Sequence, residues 1–284
     1  MNPAGAAPAP EPGFDPGWLA LREPADAGAR SARLAAAAAS AAAARSGGRP
    51  LTVHDLGCGT GSMGRWLAPR LPGPQRWVLH DHDPHLLALA AAALPASAAD
   101  GAPVRAETRA GDLATLDADA LDGATLVTAS ALLDVLTATE IDRLAAACAA
   151  PGCPVLLTLT VTGGARLDPV DPLDAALAAA FDAHQRRPHG RRRLLGPDAA
   201  DAAADAFTRL SRPVQRAASP WRLDATQATD AALVTAWLTG WVAAAVEQDG
   251  ALAAEAERYL ATRREQTRAG RLRVTVPHVD LLVA

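Results

Sequence analysis

Short apolar runs alternate with stretches of helical period through the first half of the chain. Leu51 to Leu56, Trp77 to His80, Val104 to Arg109, Ala124 to Ala129 and Pro154 to Val161 read as strands bounded by turn residues. Helices are predicted between them, over Met63 to Leu71, about Pro84 to Leu94, and Thr137 to Ala149. Pro72 and Gly73 close the first of these, and Thr137 with Glu140 has the spacing of a capping box. Strands alternating with helices predict an α/β fold with a mostly parallel sheet covered on both faces.

On the N-terminal side, Trp18 to about Arg45 reads as one helix stopped by Gly47 and Gly48. Beyond Val161 the rhythm loosens. A turn at Gly163 and Gly164 leads to a helix from about Pro172 to Gln185, an arginine-rich loop from Arg186 to Arg193, and a helix from about Pro197 to Leu210. Val214 to Leu223 and Leu272 to Val283 read as strands that re-enter the sheet, separated by helices near Ala231 to Glu247 and Ala251 to Arg268. With no internal repeat and no dividing linker, 284 residues suit one domain. The expected division is a disordered tail over 1–15 and a single domain over 16–284. Within that domain, 16–48 is helical, 50–161 is the core, and 162–284 carries insertions and closing strands.

Composition narrows the function. Half the residues are hydrophobic, and 31 acids against 27 bases leave a net charge of -4, which argues against bulk coating of nucleic acid. The bases are all arginine, and the abundance of alanine is read as a GC-rich gene rather than a function. Cys58, Cys148 and Cys153 form no CxxC pair and no cluster with histidine, so neither a disulfide framework nor a metal site is indicated and a reducing, cytoplasmic setting is expected. Met1 to Gly13 lacks the basic start and apolar run of a signal peptide, and no stretch reads as membrane-spanning; Leu34 to Ala44 is too short and mostly alanine.

The informative stretch runs from Val53 through His54, Asp55, Leu56, Gly57, Cys58, Gly59 and Thr60 to Gly61: a strand, a glycine turn and a helix start. A dinucleotide turn places its third glycine three residues after its second, where this chain has Ser62. An acid two positions before the first glycine, followed by G-x-G-x-G, resembles the class I S-adenosylmethionine-dependent methyltransferases. The resemblance implies a doubly wound, seven-stranded Rossmann-like sheet with an N-terminal helical lid and helical insertions after strands five and six. It also implies an enzyme of class EC 2.1.1.-, with S-adenosylmethionine as cofactor and S-adenosylhomocysteine as product.

Further matches extend the resemblance over about Pro50 to Val161. Asp81 ends the second strand where the family's acid meets the ribose hydroxyls, and Pro84 opens the next helix with Asp83 as its N-cap. His82 either borders the adenine or is solvated. Asp112 and Leu113, after the third strand, are similar to the family's adenine-contacting acidic motif, and Ser130 and Asp134 follow strand four, where the family lines its transfer site. Cys58 lies within the cofactor turn. His54 stands where the family's first strand is usually apolar and is expected to be buried and hydrogen-bonded.

For transfer to a hydroxyl, a base is useful, and His184 on the helix after strand five is the histidine singled out; Asp134 is the second catalytic candidate. Arg22 is carried over as a partner for the cofactor carboxylate, and Arg22, Asp26 and Arg30 otherwise form an exposed ion-pair ladder. The run from Arg186 to Arg193 is a solvated loop or an anion clamp, and Trp221, Trp237, Trp241 and Tyr259 are core residues or the wall of a pocket for a flat substrate. The expected acceptor is a small molecule, aromatic or anionic in character, at an O or N atom, with no membrane and no nucleic acid as partner. The Ser130-Ala131-Leu132-Leu133 segment lacks the Asn-Pro-Pro-Tyr type of motif that marks the family's amino-group methylases. The rival readings are an rRNA or tRNA methyltransferase, an NAD(P)-dependent oxidoreductase, and a catalytically inactive subunit that binds the cofactor.

Overall fold

The structure, a computed structural model, describes residues 15–190 and 192–284, so the expected tail apart from Asp15, and Arg191 of the arginine-rich run, lie outside it. In chain order the parallel core comprises β1 (Leu51–Leu56), α3 (Ser62–Leu67), β2 (Gln75–Asp81), α4 (Pro84–Ala93), β3 (Val104–Ala110), β4 (Leu126–Ser130), α5 (Ala138–Ala149) and β5 (Val155–Val161), preceded by α1 (Pro16–Ala29) and α2 (Ala32–Ser46). Then follow β6 (Arg166–Asp168), α6 (Asp174–Gln185), a hairpin of β7 (Pro188–His189) and β8 (Arg192–Arg193), α7 (Ala199–Arg209), β9 (Val214–Ala218), β10 (Trp221–Asp224), α8 (Ala228–Gln248), α9 (Ala253–Arg268), β11 (Arg273–Val276) and β12 (His278–Val283).

The main sheet has seven strands in the order β3-β2-β1-β4-β5-β12-β9. The first five are parallel, and β12 runs antiparallel to both of its neighbours. The central strands β4 and β5 are apolar and almost wholly buried because both of their faces are covered, whereas the edge strand β3 is largely exposed and mostly polar. On one face, Val53, Leu126, Leu156 and Leu282 pack under α2, α3 and α4; on the other, Val127, Val155 and Leu281 pack under α5 and α7. Capping follows the sequence: the Asp83 carboxylate accepts from His85 and Leu86 N–H, and Thr137 and Glu140 form a reciprocal capping box.

Three expectations are corrected. The first helix is two helices, because the chain breaks at Arg30, whose ψ is 137°. Ser31 caps α2, and its freed N–H donates to the buried Asp280 carboxylate at 2.7 Å. The strands expected over Val214 to Leu223 and Leu272 to Val283 each divide at a proline, Pro220 and Pro277, which cannot supply a ladder N–H. Their halves serve different sheets: β9 and β12 join the main sheet, while β10 and β11 pair with β6 in a second, three-stranded sheet. The arginine-rich loop, lastly, contains the β7–β8 hairpin.

The second sheet, α6, α8 and α9 enclose a third apolar cluster. Trp237 and Trp241 stack at 5.0 Å, and Tyr259 donates to Asp174, which also takes the buried Arg263. These aromatics are therefore core rather than an open wall, as is Trp221, which is 3% exposed. Helix α8 is long and apolar enough to cross a membrane by composition, and here its Leu233, Val234, Trp237 and Leu238 face lies in this cluster. Helix α1 sends Trp18, Leu21, Ala25 and Ala29 against the same cluster.

His54 and His80 face each other in the main sheet with Nδ1 and Nε2 3.0 Å apart and rings stacked at 5.2 Å. Burial holds His54 down to about 3 and His80 to about 4, so both rings are neutral at pH 7. Above their ordinary value of 6.5 neither the folded nor the unfolded chain is protonated at these rings. As the pH falls from there toward 4, the unfolded chain takes protons first and the fold loses stability. Asp55 and Asp134, raised by burial, act in the opposite sense over part of the same window. Comparison with His54→Gln isolates the histidine contribution: the melting temperature of the variant is expected to fall less between pH 6.5 and 4 than that of the wild-type chain. An equal fall in both would show that His54 does not titrate in this way.

Candidate functional site

The carboxyl ends of parallel strands leave a crevice where the connections diverge, and in this sheet β1 and β4 lead off to opposite sides. The turn after β1 holds Gly57, Gly59 and Gly61 at φ of 62°, 53° and 85°, conformations that favour glycine. Close approach matters as much as φ. A Cβ on Gly57 would stand 3.0 Å from Leu132, and one on Gly61 would stand 3.0 Å from the Ala90 backbone of α4. Leu19 of α1 lies over Gly59, and Leu113 lies beside Gly57. The turn is thus framed by apolar side chains from four separate segments.

Polar groups converge on the same turn. Asp81, at the end of β2, is buried; its Oδ2 accepts from Gly59 N–H at 2.9 Å and its Oδ1 from Asp83 N–H at 3.0 Å. His82 is exposed, with Nδ1 3.3 Å from Asp81. Asp55, at the end of β1, is 1% exposed; one oxygen accepts from the Thr128 hydroxyl at 2.8 Å, and the other is sealed without a partner. Burial pushes its carboxyl up to about 7, against the pull of the Thr128 hydrogen bond and the nearby Arg30. Burial likewise pushes the Cys58 thiol far up, so it is a neutral packing group rather than a nucleophile. Asp112 is exposed and caps the turn that follows β3 by accepting from Ala114 N–H.

The exposed ladder offered as one reading of Arg22, Asp26 and Arg30 does not form, because Arg30 is buried. It is 5% exposed and donates from Nη2 to the Ser62 and Ser130 hydroxyls at 2.9 and 3.1 Å, while Nε and Nη1 are sealed without partners. The sequence signal was ambiguous, since spacing alone put Arg30 on one face with Arg22 and Asp26. The helix break turns it inward. Arg22 and Asp26 do pair, at 3.0 Å, but they too are largely buried, and Asp26 also accepts from Trp221 Nε1 at 2.9 Å. The Arg22 guanidinium lies 5.0 Å from the Trp221 ring centroid.

Asp134 follows β4, after Ala131 at φ 51° turns the chain outward. It is half-buried, meets no side-chain donor, and is pushed up to about 6 by burial. His184 lies elsewhere in the bonding network: its Nε2 is 3.1 Å from Glu247 of α8, a carboxylate shared with Arg187. Two further arginines of that run are also matched to acids, Arg186 to Asp198 and Arg192 to Glu140.

A family model described as a methyltransferase domain matches residues 53–151. Among solved structures, a SAM-dependent methyltransferase from Geobacter sulfurreducens in complex with S-adenosyl-L-homocysteine is 18% identical, with 94% of this chain and 98% of that one covered and a TM-score of 0.43. A SAM-dependent methyltransferase from Thiobacillus denitrificans, also in complex with S-adenosyl-L-homocysteine, is 19% identical over 95% and 99% of the two chains, with a TM-score of 0.43. An O-methyltransferase family protein from Burkholderia thailandensis is 23% identical over 69% and 52%, with a TM-score of 0.43. A search of curated proteins found no match. The matched residues span β1 through α5 of the seven-stranded, mostly parallel sheet, and that sheet has the Rossmann-like methyltransferase fold.

Proposed function

We propose that the chain is an S-adenosylmethionine-dependent methyltransferase acting at an O or N atom of a small molecule. The observation that carries this reading is the set of sealed, unpartnered polar atoms at the glycine turn: Asp55 Oδ2 and the Arg30 Nε and Nη1. Buried polar atoms without partners are costly, so a group that satisfies both signs of charge belongs beside them. An amino-acid sulfonium nucleoside has that chemistry: a carboxylate for Arg30, positive charge for Asp55, and vicinal hydroxyls for Asp81.

Arg30 suits the carboxylate better than Arg22, whose Nε and Nη2 are already held by Asp26. Ser130, Asp112 and Leu113 complete the cofactor side, with His82 at its rim. When bound, S-adenosylmethionine supplies a methyl group on a sulfonium, and transfer then depends on in-line positioning and exclusion of water. The leucines around the turn exclude water, and Asp134, half-buried and without a side-chain donor, orients the acceptor. His184 is the less suitable base because Glu247 engages it. The pairing of Arg186, Arg187 and Arg192 with acids favours a small acceptor over a nucleic acid, whose binding relies on unpaired cations.

Calorimetric titration with S-adenosylmethionine, S-adenosylhomocysteine, NADH and NADPH tests the reading: the two adenosyl ligands bind and the nicotinamides do not. Binding of a nicotinamide alone would overturn it. Asp81→Ala is expected to weaken both adenosyl ligands by on the order of 1.5–3 kcal/mol, the worth of a hydrogen bond to a charged group. Arg30→Met weakens the same two ligands and spares 5′-methylthioadenosine, which has no carboxylate; an equal loss for all three would place Arg30 outside the amino-acid subsite. Because Asp55 is ionised only above about pH 7, the preference for the cationic S-adenosylmethionine over neutral S-adenosylhomocysteine should shrink as the pH falls below 7. A preference independent of pH would separate Asp55 from the sulfonium.

A further inference from the structure

His278 is the first residue of β12, paired with Val161 at the end of β5, and so lies at the carboxyl edge of the parallel strands. Its ring is 5.2 Å from that of Trp221, which in turn lies under Arg22. Nδ1 is 2.8 Å from the Val276 carbonyl oxygen, which can only accept, so Nδ1 carries the ring hydrogen and Nε2 carries the lone pair. Among the described residues Nε2 has no hydrogen-bond partner, and unlike His54 Nε2 it is not one of the sealed polar atoms. In a residue 4% exposed overall, Nε2 is thus an unpartnered hydrogen-bond acceptor that is not fully sealed.

The surroundings define what this atom can meet. Arg22 of α1 is near enough that its charge lowers both the His278 imidazolium and the Asp134 carboxyl, and Asp26 acts on His278 in the opposite sense. Burial, the larger influence, holds the imidazole down to about 4, so it is neutral over the physiological range. The cation of Arg22 is offset by Asp26, which leaves the Asp134 carboxylate as the unmatched charge. An anionic acceptor is disfavoured there, and a neutral group with a hydrogen to donate is favoured.

Resting on the cofactor reading given above, we propose that His278 Nε2 opens onto the acceptor side of the site and takes the proton of an alcohol or phenol acceptor. His278 receives that proton as the acceptor oxygen bonds the methyl carbon and the carbon–sulfur electron pair returns to sulfur; the resulting imidazolium passes the proton to water. Arg22 and Trp221 hold the ring, and Asp134 shares the acceptor hydroxyl.

Diethyl pyrocarbonate acylates an unprotonated, reachable imidazole nitrogen, so it probes Nε2 without an acceptor in hand. With the full chain at about pH 6 and modified sites mapped by peptide mass spectrometry, His278 is expected to react. His54 and His80, bonded to each other, should not react. Exposed His85 should react at a rate that ligand leaves unchanged. S-adenosylhomocysteine at ten times its dissociation constant should slow His278 modification roughly tenfold, as mass action requires if the bound ligand closes the site. An unreactive His278, or one that reacts equally with and without ligand, overturns the proposal. Failure of S-adenosylhomocysteine to bind in calorimetry would instead overturn the cofactor reading beneath it. With any phenol that the enzyme methylates, His278→Gln is expected to lower kcat by ~10²-fold or more, the usual worth of general base catalysis, with little change in the cofactor KM. An unchanged kcat, or transfer confined to amines, removes His278 from the proton path.

Discussion

The buried cation of Arg30 is the constraint around which the site is organised. A guanidinium removed from water is expensive, and two serine hydroxyls do not replace its hydration. Asp26, Asp55 and Asp280 are near enough to raise its proton affinity, and the face of Trp66 lies 5.5 Å from it. Those groups belong to α1, β1, β12 and α3. Seating Arg30 therefore draws together the N-terminal helices, the glycine turn and the last strand. The break between α1 and α2 follows from the same demand: Asp280 takes the N–H of Ser31 and that of Leu159, where φ is 58°, so both distortions serve one buried carboxylate.

A second consequence is that the middle of the sheet is polar in places where an α/β sheet is ordinarily apolar. His54, His80, Asp55 and Thr128 lie on adjacent central strands, and each is buried. The histidines share one hydrogen bond by staying neutral, with His54 Nε2 left unpartnered, and Asp55 leans on Thr128 for one oxygen only. Asp55 Oδ2 and Arg30 Nε and Nη1 stay without partners near the end of β1, while other such atoms, as at Trp241 and Arg263, lie elsewhere among the described residues. On the proposed cofactor reading, stability given up at Asp55 and Arg30 keeps complementary groups fixed for a charged ligand, so little reorganisation is needed on binding.

The parallel core was legible because its signals are local. Apolar runs, Pro84 behind Asp83, and the Thr137–Glu140 pair each act within a few residues, and β1 through β5 fall where the pattern puts them. The division of the C-terminal strands was not legible in periodicity, since residues 214–223 and 272–283 continue their apolar pattern across Pro220 and Pro277; only the missing ladder N–H decides, and it sends the two halves to different sheets. Site residues divide in the same way. Asp55, the three glycines and Asp81 announce themselves by spacing, while Arg30, Trp221 and His278 are brought together from positions up to 248 apart by packing against α1, which no short motif encodes.

The two halves of the site accordingly differ in origin. On the proposed reading, the cofactor side is built by β1, α3 and β2 with β4 beside them, to which α1 adds Leu19 over Gly59 and Arg30 at its end. The proposed acceptor side would be assembled from α1, the turn after β4, β10 and β12, with α1 held in place by the third apolar cluster. Trp221 links these: its indole N–H is bound by Asp26, its ring lies under Arg22, and its edge approaches His278. Changes in the C-terminal cluster would thus reach the proposed acceptor side through Trp221 and α1, and the glycine turn only through Leu19 and Arg30. Such an arrangement lets acceptor preference vary without disturbing the nucleoside end, which is the division of labour expected when function resides in sites grafted on a common fold.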